Sequence, residues 1–146
     1  MRIGLDIDGV IAPNPWSMYP KKNILGIFFF YFSRRPNQFV KDLIRKYKEE
    51  GHRIILISGI GLPAWPVIFF WLKYHRVPFD KLFLRWWGRN GKFKAREIKR
   101  NECEMYIEDD PLVFDEIKRE LKNLGIRIIQ ENRWKINQKE LYIFTL

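Results

Sequence analysis

The chain opens Met1-Arg2-Ile3-Gly4-Leu5-Asp6-Ile7-Asp8-Gly9-Val10. Arg2 to Leu5 is a short apolar segment bounded by Asp6, which reads as a buried strand with two aspartates beyond its carboxyl end. The same pattern recurs downstream. Asn37 is placed to cap a helix over Gln38 to Glu50, where Phe39, Leu43, Ile44 and Tyr47 repeat at helical spacing, and Gly51 sits where a stop is expected. Arg53 to Ile57 is rich in β-branched residues and reads as a second buried strand. Leu62 to Tyr74 has helical character, with Pro63 and Pro66 tolerable only near its first turn.

Lys81 to Leu84 gives a third strand, and Gly88 and Gly91 bracket a loop ahead of a short helix from Phe93 to Arg100. Glu104 to Ile107 is a fourth strand. Pro111 suits the first turn of a helix that runs to Leu124 and stops at Gly125. Ile126 to Ile129 reads as a fifth strand, and the tail ends in Leu141-Tyr142-Ile143-Phe144-Thr145-Leu146, an edge strand or a packed arm. Strands alternating with helices argue for a parallel sheet covered on both faces, a Rossmann-like three-layer α/β sandwich. In such sheets ligands bind outside the carboxyl ends of the strands, near the topological switch point.

One segment breaks the alternation. Residues Ile11 to Pro36 separate the first strand from its helix and exceed an ordinary βα loop, so they read as a small cap or lid. The insert carries Trp16, Tyr19, Lys21, Lys22, an aromatic run over Phe28 to Phe32, and Arg34-Arg35. The whole chain, 146 residues at 47% hydrophobic, fits one domain with a proper core and argues against disorder.

Asp6, Asp8, Ser58 and the Glu108-Asp109-Asp110 cluster each fall at the carboxyl end of an expected strand. Any one of them is ordinary, since acidic residues and Ser-Gly turns routinely cap the next helix. Together and in this order they suit phosphoryl transfer. A phosphate monoester is an anion, so a carboxylate nucleophile needs a cation beside it. Mg²⁺ prefers carboxylate and carbonyl oxygens and keeps several waters, so few protein ligands suffice. Asp6 can act as nucleophile and ligand, and Asp8 lies close enough to protonate the leaving oxygen and then activate water. A hydroxyl and a lysine complete the stabilisation of the phosphoryl oxygens.

The run Ile3-Gly4-Leu5-Asp6-Ile7-Asp8-Gly9-Val10 resembles the first motif of the haloacid dehalogenase-like superfamily of phosphohydrolases. Ile55-Leu56-Ile57-Ser58-Gly59 is similar to its second motif, and Tyr106-Ile107-Glu108-Asp109-Asp110-Pro111 to its fourth. The third is one lysine ahead of the fourth strand; Lys94 looks most like it, with Lys92 and Lys99 as rivals. The resemblance covers the chain from Met1 to about Ile129. It implies that Asp6 attacks phosphorus and Asp8 is general acid and base. It also implies that Asp6, the Asp8 backbone carbonyl and Asp109 hold Mg²⁺, and that Ser58, Gly59 and Lys94 bind the phosphoryl group. Glu108 stands where Asp is common, which leaves open which of Glu108, Asp109 and Asp110 touches metal. The second aspartate separates phosphatase-like members from dehalogenases, which lack that acid. The acidic pair followed by proline resembles the 5′-nucleotidase-like branch.

The net charge of +10 draws anions: phosphorylated metabolites, nucleotides, nucleic acid or acidic headgroups. A Lys- and Glu-rich surface of a heat-adapted protein gives the same composition. Trp65, Phe69, Trp71 and Tyr74 crowd one helix, and for Phe69 and Leu72 core packing is the preferred reading. Trp86-Trp87-Gly88-Arg89 follows the third strand, where adjacent side chains cannot both face the core. Such aromatics beside Arg suit base stacking; a membrane surface or a homo-oligomer interface uses exposed aromatics equally well. His52 and His75 have no metal-site spacing. Cys103 is the single cysteine, which suits a reducing compartment. Two aspartates within the first eight residues fit no secretory leader, and neither apolar run approaches the ~20 residues of a membrane span. The expectation is a cytoplasmic enzyme, a phosphatase. Its rivals are a phosphotransferase sharing the first half-reaction, and a nucleic-acid or membrane-surface binding module without turnover.

Overall fold

The computed structural model describes residues 1–12, 24–86, 88–136 and 139–146. Six strands and five helices alternate along most of its length: β1 (Arg2–Leu5), α1 (Ile24–Phe32), α2 (Gln38–Glu49), β2 (Arg53–Gly61), α3 (Trp65–Tyr74), β3 (Lys81–Arg85), α4 (Asn90–Arg100), β4 (Met105–Glu108), α5 (Pro111–Asn123), β5 (Gln130–Ile136) and β6 (Lys139–Thr145). They build one sheet in the order β3-β2-β1-β4-β6-β5. The first four strands are parallel; β6 joins β4 antiparallel and pairs with β5 as a hairpin. β1 lies between β2 and β4, so the chain reverses its direction of winding there. That is the crevice where a parallel sheet offers a site.

Helices cover both faces. Ile3, Leu5, Ile54 and Leu56 meet Tyr31 of α1, Val40 and Ile44 of α2, and Ile68, Trp71 and Leu72 of α3 on one side. Ile55, Ile57 and Tyr106 meet Ala95 and Ile98 of α4 and Phe114, Ile117 and Leu121 of α5 on the other. This three-layer α/β sandwich follows from strands whose alternate residues are apolar on both faces. Each aliphatic side chain buried this completely is worth about 1.5–3 kcal/mol against exposure. Among the described residues no helix is long and apolar enough to cross a membrane.

Local signals set most boundaries. The Asn37 side chain accepts hydrogen bonds from the Phe39 and Val40 amides, and Gly51 takes the left-handed φ of 83° just past α2. Val40 and Ile44 form the buried stripe of α2, while Phe39 stays exposed. Pro63 and Pro66 split the expected Leu62–Tyr74 helix into a 3-10 turn, Leu62–Ala64, and α3, because proline supplies no amide to a continuous ladder. α4 begins at Asn90 rather than Phe93. The Glu116 carboxylate on α5 accepts from the Gly91 amide at 3.1 Å, a cap supplied from outside the helix.

The expected strand over Ile126 to Ile129 does not form. That run alternates with Arg127, and Ile129 is exposed, whereas a strand beside β4 must be apolar on both faces. β6 meets the requirement: Leu141 and Ile143 enter one core and Phe144 the other. The tail is therefore an inner strand, with β5 at the edge. The insert expected over 11–36 contains α1; Trp16, Tyr19, Lys21 and Lys22 lie outside the described residues, as does Trp87.

Candidate active site

Asp6 is the first residue beyond β1, and its amide still donates to the Ile107 carbonyl at 3.0 Å, extending the β1–β4 ladder. Its carboxylate is thereby carried into the crevice between the two strand ends, almost wholly buried. The chain then folds back on itself: the Ile11 and Ala12 amides both donate to the Ile7 carbonyl, at 2.9 and 2.8 Å. Gly9 closes this turn at φ 86°, and a Cβ on it would overlap the Asp109 carboxylate. Only glycine satisfies both conditions.

Asp8 is gripped by two hydroxyls. Tyr31 of α1 donates to Oδ1 at 2.6 Å, and Ser58 donates to Oδ2 at 3.2 Å. β2 runs past its expected end, so Ser58 sits inside the strand, fully buried, with the Ile60 amide donating to its Oγ at 3.2 Å. The hydroxyl expected to bind a phosphoryl group faces Asp8 instead and is not among the cleft-lining residues.

Lys94 projects from α4 with 1% of its surface exposed, its Nζ 2.7 Å from Glu108 Oε2 and 3.0 Å from Asp6 Oδ1. Lys92 is exposed on another face of α4, and Lys99 donates to the Leu124 carbonyl, so Lys94 is the one of the three brought to the aspartates. Glu108 also accepts from the Tyr106 hydroxyl at 3.3 Å and from the Asp109 and Asp110 amides at 3.3 and 3.4 Å. Asp110 caps α5, its Oδ1 accepting from the Leu112 and Val113 amides, while the residue still lines the cleft. Asp109 stays half-buried at the rim.

The electrostatics are lopsided. Asp6 and Glu108 share the Lys94 ammonium, while Asp8 and Asp109 add two further carboxylates beside them. Burial, partly opposed by Lys94, pushes Asp6 up to about 6, with Asp8 and Asp109 adding to the rise. Burial and the nearby Asp6 push Glu108 up to about 7. Asp8 is also raised by burial, against the pull of its two hydroxyl donors. Lys94 is raised despite its burial, because Asp6 and Glu108 hold its proton. Carboxylates this reluctant to ionise mark a place short of positive charge.

A divalent cation fits that place. One oxygen from each of Asp6, Glu108 and Asp109 lies within 4.8 Å of the others, and buried Asp6 Oδ1 accepts no aligned hydrogen bond beyond its ion pair. An all-oxygen, mostly carboxylate set is the kind Mg²⁺ takes. The cleft above has a volume of about 220 Å³ and is lined by Asp6, Asp8, Gly59, Lys94 and Asp109 together with Arg85 and Asn90. Gly59 belongs there because the Asn90 amide lies so close that a Cβ would collide with it.

Tyr31, Arg85 and Asn90 escape a sequence reading. Tyr31 sits in an aromatic run that looks like core, and the only signal is that a buried phenol must find a partner. Asn90-Gly91 looks like a turn, and Arg85 like any polar strand end. Tyr31→Phe should lower kcat about tenfold with KM little changed, since it frees Asp8 to leave its working position without touching the substrate. Steady-state kinetics on a small phosphate ester checks this; an unchanged kcat would remove Tyr31 from the site.

The other aromatics divide. Trp71 and Leu72 are fully buried in the core, as expected, whereas Phe69 is half-buried, stacked on the partly exposed Trp65 and outside the core clusters, and Trp86 is 72% exposed. His52 lies beside the N-terminus and His75 against Trp71, and among the described residues neither joins the acidic cluster.

No family model matches the chain, and no curated protein matches it. Among solved structures, a chain from "Structure of the Pnkp1/Rnl/Hen1 RNA repair complex" superposes with a TM-score of 0.66 at 20% identity over 82% of this chain. A chain from "Structure of Pnkp1/Rnl/Hen1 complex" gives the same TM-score, identity and coverage. This chain spans 39% and 43% of their respective lengths. At that identity the likeness is one of fold.

Proposed function

We propose that this chain is a single-domain, Mg²⁺-dependent phosphomonoester hydrolase of the haloacid dehalogenase-like superfamily, working through an aspartyl-phosphate on Asp6. The observation that carries the reading is the convergence of Asp6 and Asp8 from the turn after β1, Lys94 from α4 and Asp109 from the end of β4 on one cleft at the sheet's reversal point. An Asp6 oxygen attacks phosphorus, the ester P–O bond breaks, and Asp8 gives its proton to the departing oxygen. Water then attacks the same phosphorus and loses its proton to Asp8, which releases inorganic phosphate and restores the Asp6 carboxylate. The raised affinity of Asp8 for a proton suits the first of these steps. Ser58 and Tyr31 hold Asp8 in place, and Lys94 with Gly59 faces the phosphoryl oxygens.

Asp6 and Asp109 would hold Mg²⁺, with Glu108 and the Asp8 backbone carbonyl as further oxygens. Bound there, it supplies the positive charge that lets an anionic ester approach a carboxylate. The resemblance of fold to chains of an RNA repair complex favours a nucleic-acid end as the ester.

A phosphate-release screen over p-nitrophenyl phosphate, nucleotides, sugar phosphates and phosphorylated oligonucleotides tests the reading. Release that needs Mg²⁺ and stops with chelator is expected; no release from any of them contradicts it.

The metal has a second readout. In the apo protein Asp6 and Glu108 bind protons more tightly folded than unfolded, so stability falls as pH rises from about 4 through about 6 and 7. Mg²⁺ replaces those protons. Saturating Mg²⁺ should therefore raise Tm by several degrees at pH 8 and by much less at pH 5.5, in thermal melts without substrate. A shift of the same size at both values would place the ion elsewhere.

A further inference from the structure

Helix α4 presents two adjoining faces to solvent at the site. Asn90 and Lys94, one turn apart, line the cleft. Arg89, Lys92, Phe93 and Arg96 line a neighbouring groove of about 590 Å³ together with Trp86, Gly88 and one acidic residue, Glu97, which is half-buried and faces Asn101 and Arg100. Arg85 stands at the junction: it lines the cleft, and its guanidinium donates to the Gly88 carbonyl at 3.0 Å, tying down the loop that carries Trp86. Arg89 to Arg96 runs about 10 Å along the helix axis, leading away from the cleft.

The phosphoryl chemistry uses none of the side chains that line the groove. Among the described residues, no carboxylate pairs with Lys92 or Arg96. Arg89 has only a 3.9 Å approach to Glu116, which already caps Gly91. The exposed Trp86 indole has no core to fill. A flat aromatic beside a line of exposed cations, two of them without a carboxylate partner among the described residues, starting where a phosphate ester would react, has the composition of a single-strand binding surface. A membrane would ask for a broader apolar area than one indole offers. A mononucleotide would reach Trp86 and leave the more distant cations unused.

We propose that this groove docks the single strand of a polynucleotide whose terminal phosphate monoester enters the cleft. Trp86 stacks on a base next to the end, and Arg89, Lys92 and Arg96 take the following backbone phosphates. The proposal rests on the phosphomonoesterase reading of the cleft.

The test uses an internally labelled oligonucleotide of roughly 8–12 nucleotides with a phosphate at its 5′ or 3′ end, alongside p-nitrophenyl phosphate. Trp86, Lys92 and Arg96 are exposed, so replacing them leaves the core intact. Trp86→Ala should raise the oligonucleotide KM about tenfold while p-nitrophenyl phosphate kinetics stay unchanged. Lys92→Ala with Arg96→Ala should weaken anisotropy-measured binding and flatten its log–log salt slope by about 0.7 for each phosphate no longer neutralised. Wild-type salt slopes unaffected by the double change, or an oligonucleotide KM no lower than that of the matching mononucleotide, would overturn the docking surface. Turnover of p-nitrophenyl phosphate would leave the hydrolase reading standing in that case. Conversely, an inactive wild type that still binds the oligonucleotide through Trp86 would contradict the hydrolase and keep the surface.

Discussion

Asp6→Asn should lower turnover by about four orders of magnitude while the protein stays folded. The amide is nearly isosteric with the carboxylate but is no nucleophile, and the remaining groups have nothing to assist. Folding should not suffer, because Asp6 is a buried carboxylate held against its own desolvation. Lys94 keeps its closer partner, Glu108, at 2.7 Å. The thermal midpoint at pH 8 should therefore match or exceed that of the unaltered protein. Near-normal turnover in this variant would contradict the mechanism; a collapsed fold would contradict the assignment of Asp6 to chemistry rather than structure.

Lys94→Ala should give the largest loss of stability. Lys94 is the one cation, among the described residues, within ion-pairing distance of Asp6 and Glu108, and all three are buried. Removing one partner from a buried ionic cluster costs about 3–5 kcal/mol, since the others are left uncompensated. The penalty should depend on pH with a defined sign. Asp6 and Glu108 already hold protons up to about 6 and 7, and without the ammonium they hold them higher still. The variant therefore binds more protons folded than unfolded over a wider range, and its deficit grows as pH rises. Urea melts at pH 5.5 and pH 8 should show the larger deficit at pH 8. Turnover should fall with it, and further than in Lys92→Ala or Lys99→Ala, whose side chains lie outside the cleft.

The sheet was legible because its first four strands obey local rules. Apolar runs of the right length end in Asp6, Ser58, Arg85 and Glu108, and the intervening helices carry their own stops at Gly51 and Gly125. Asp6, Asp8, Ser58 and Asp109 were legible because parallel strands must deliver their carboxyl ends to one rim, whereas Lys94 stood beside Lys92 and Lys99 until the packing of α4 brought it to Asp6 and Glu108. What the sequence concealed depends on contacts between distant segments. Ile126 to Ile129 looks like a strand by composition, yet β6 displaces it because only β6 is apolar on both faces. Tyr31 is indistinguishable from its aromatic neighbours until α1 is packed against α3 and its hydroxyl meets Asp8. The acidic triplet was ambiguous for a similar reason. Asp110 has its place in capping α5 and Glu108 in holding Lys94, and neither role shows without the helices in position.

The proposed mechanism stands on a covalent bond between phosphorus and Asp6. A rapid acid quench during turnover, followed by borohydride reduction and peptide mass spectrometry, reads it directly, because reduction converts an aspartyl-phosphate to homoserine. Homoserine is expected at position 6 only, appearing with substrate and Mg²⁺ and absent without either. Steady phosphate release with Asp6 unmodified, or with the reduction product at Asp8 or Asp109, would contradict the mechanism.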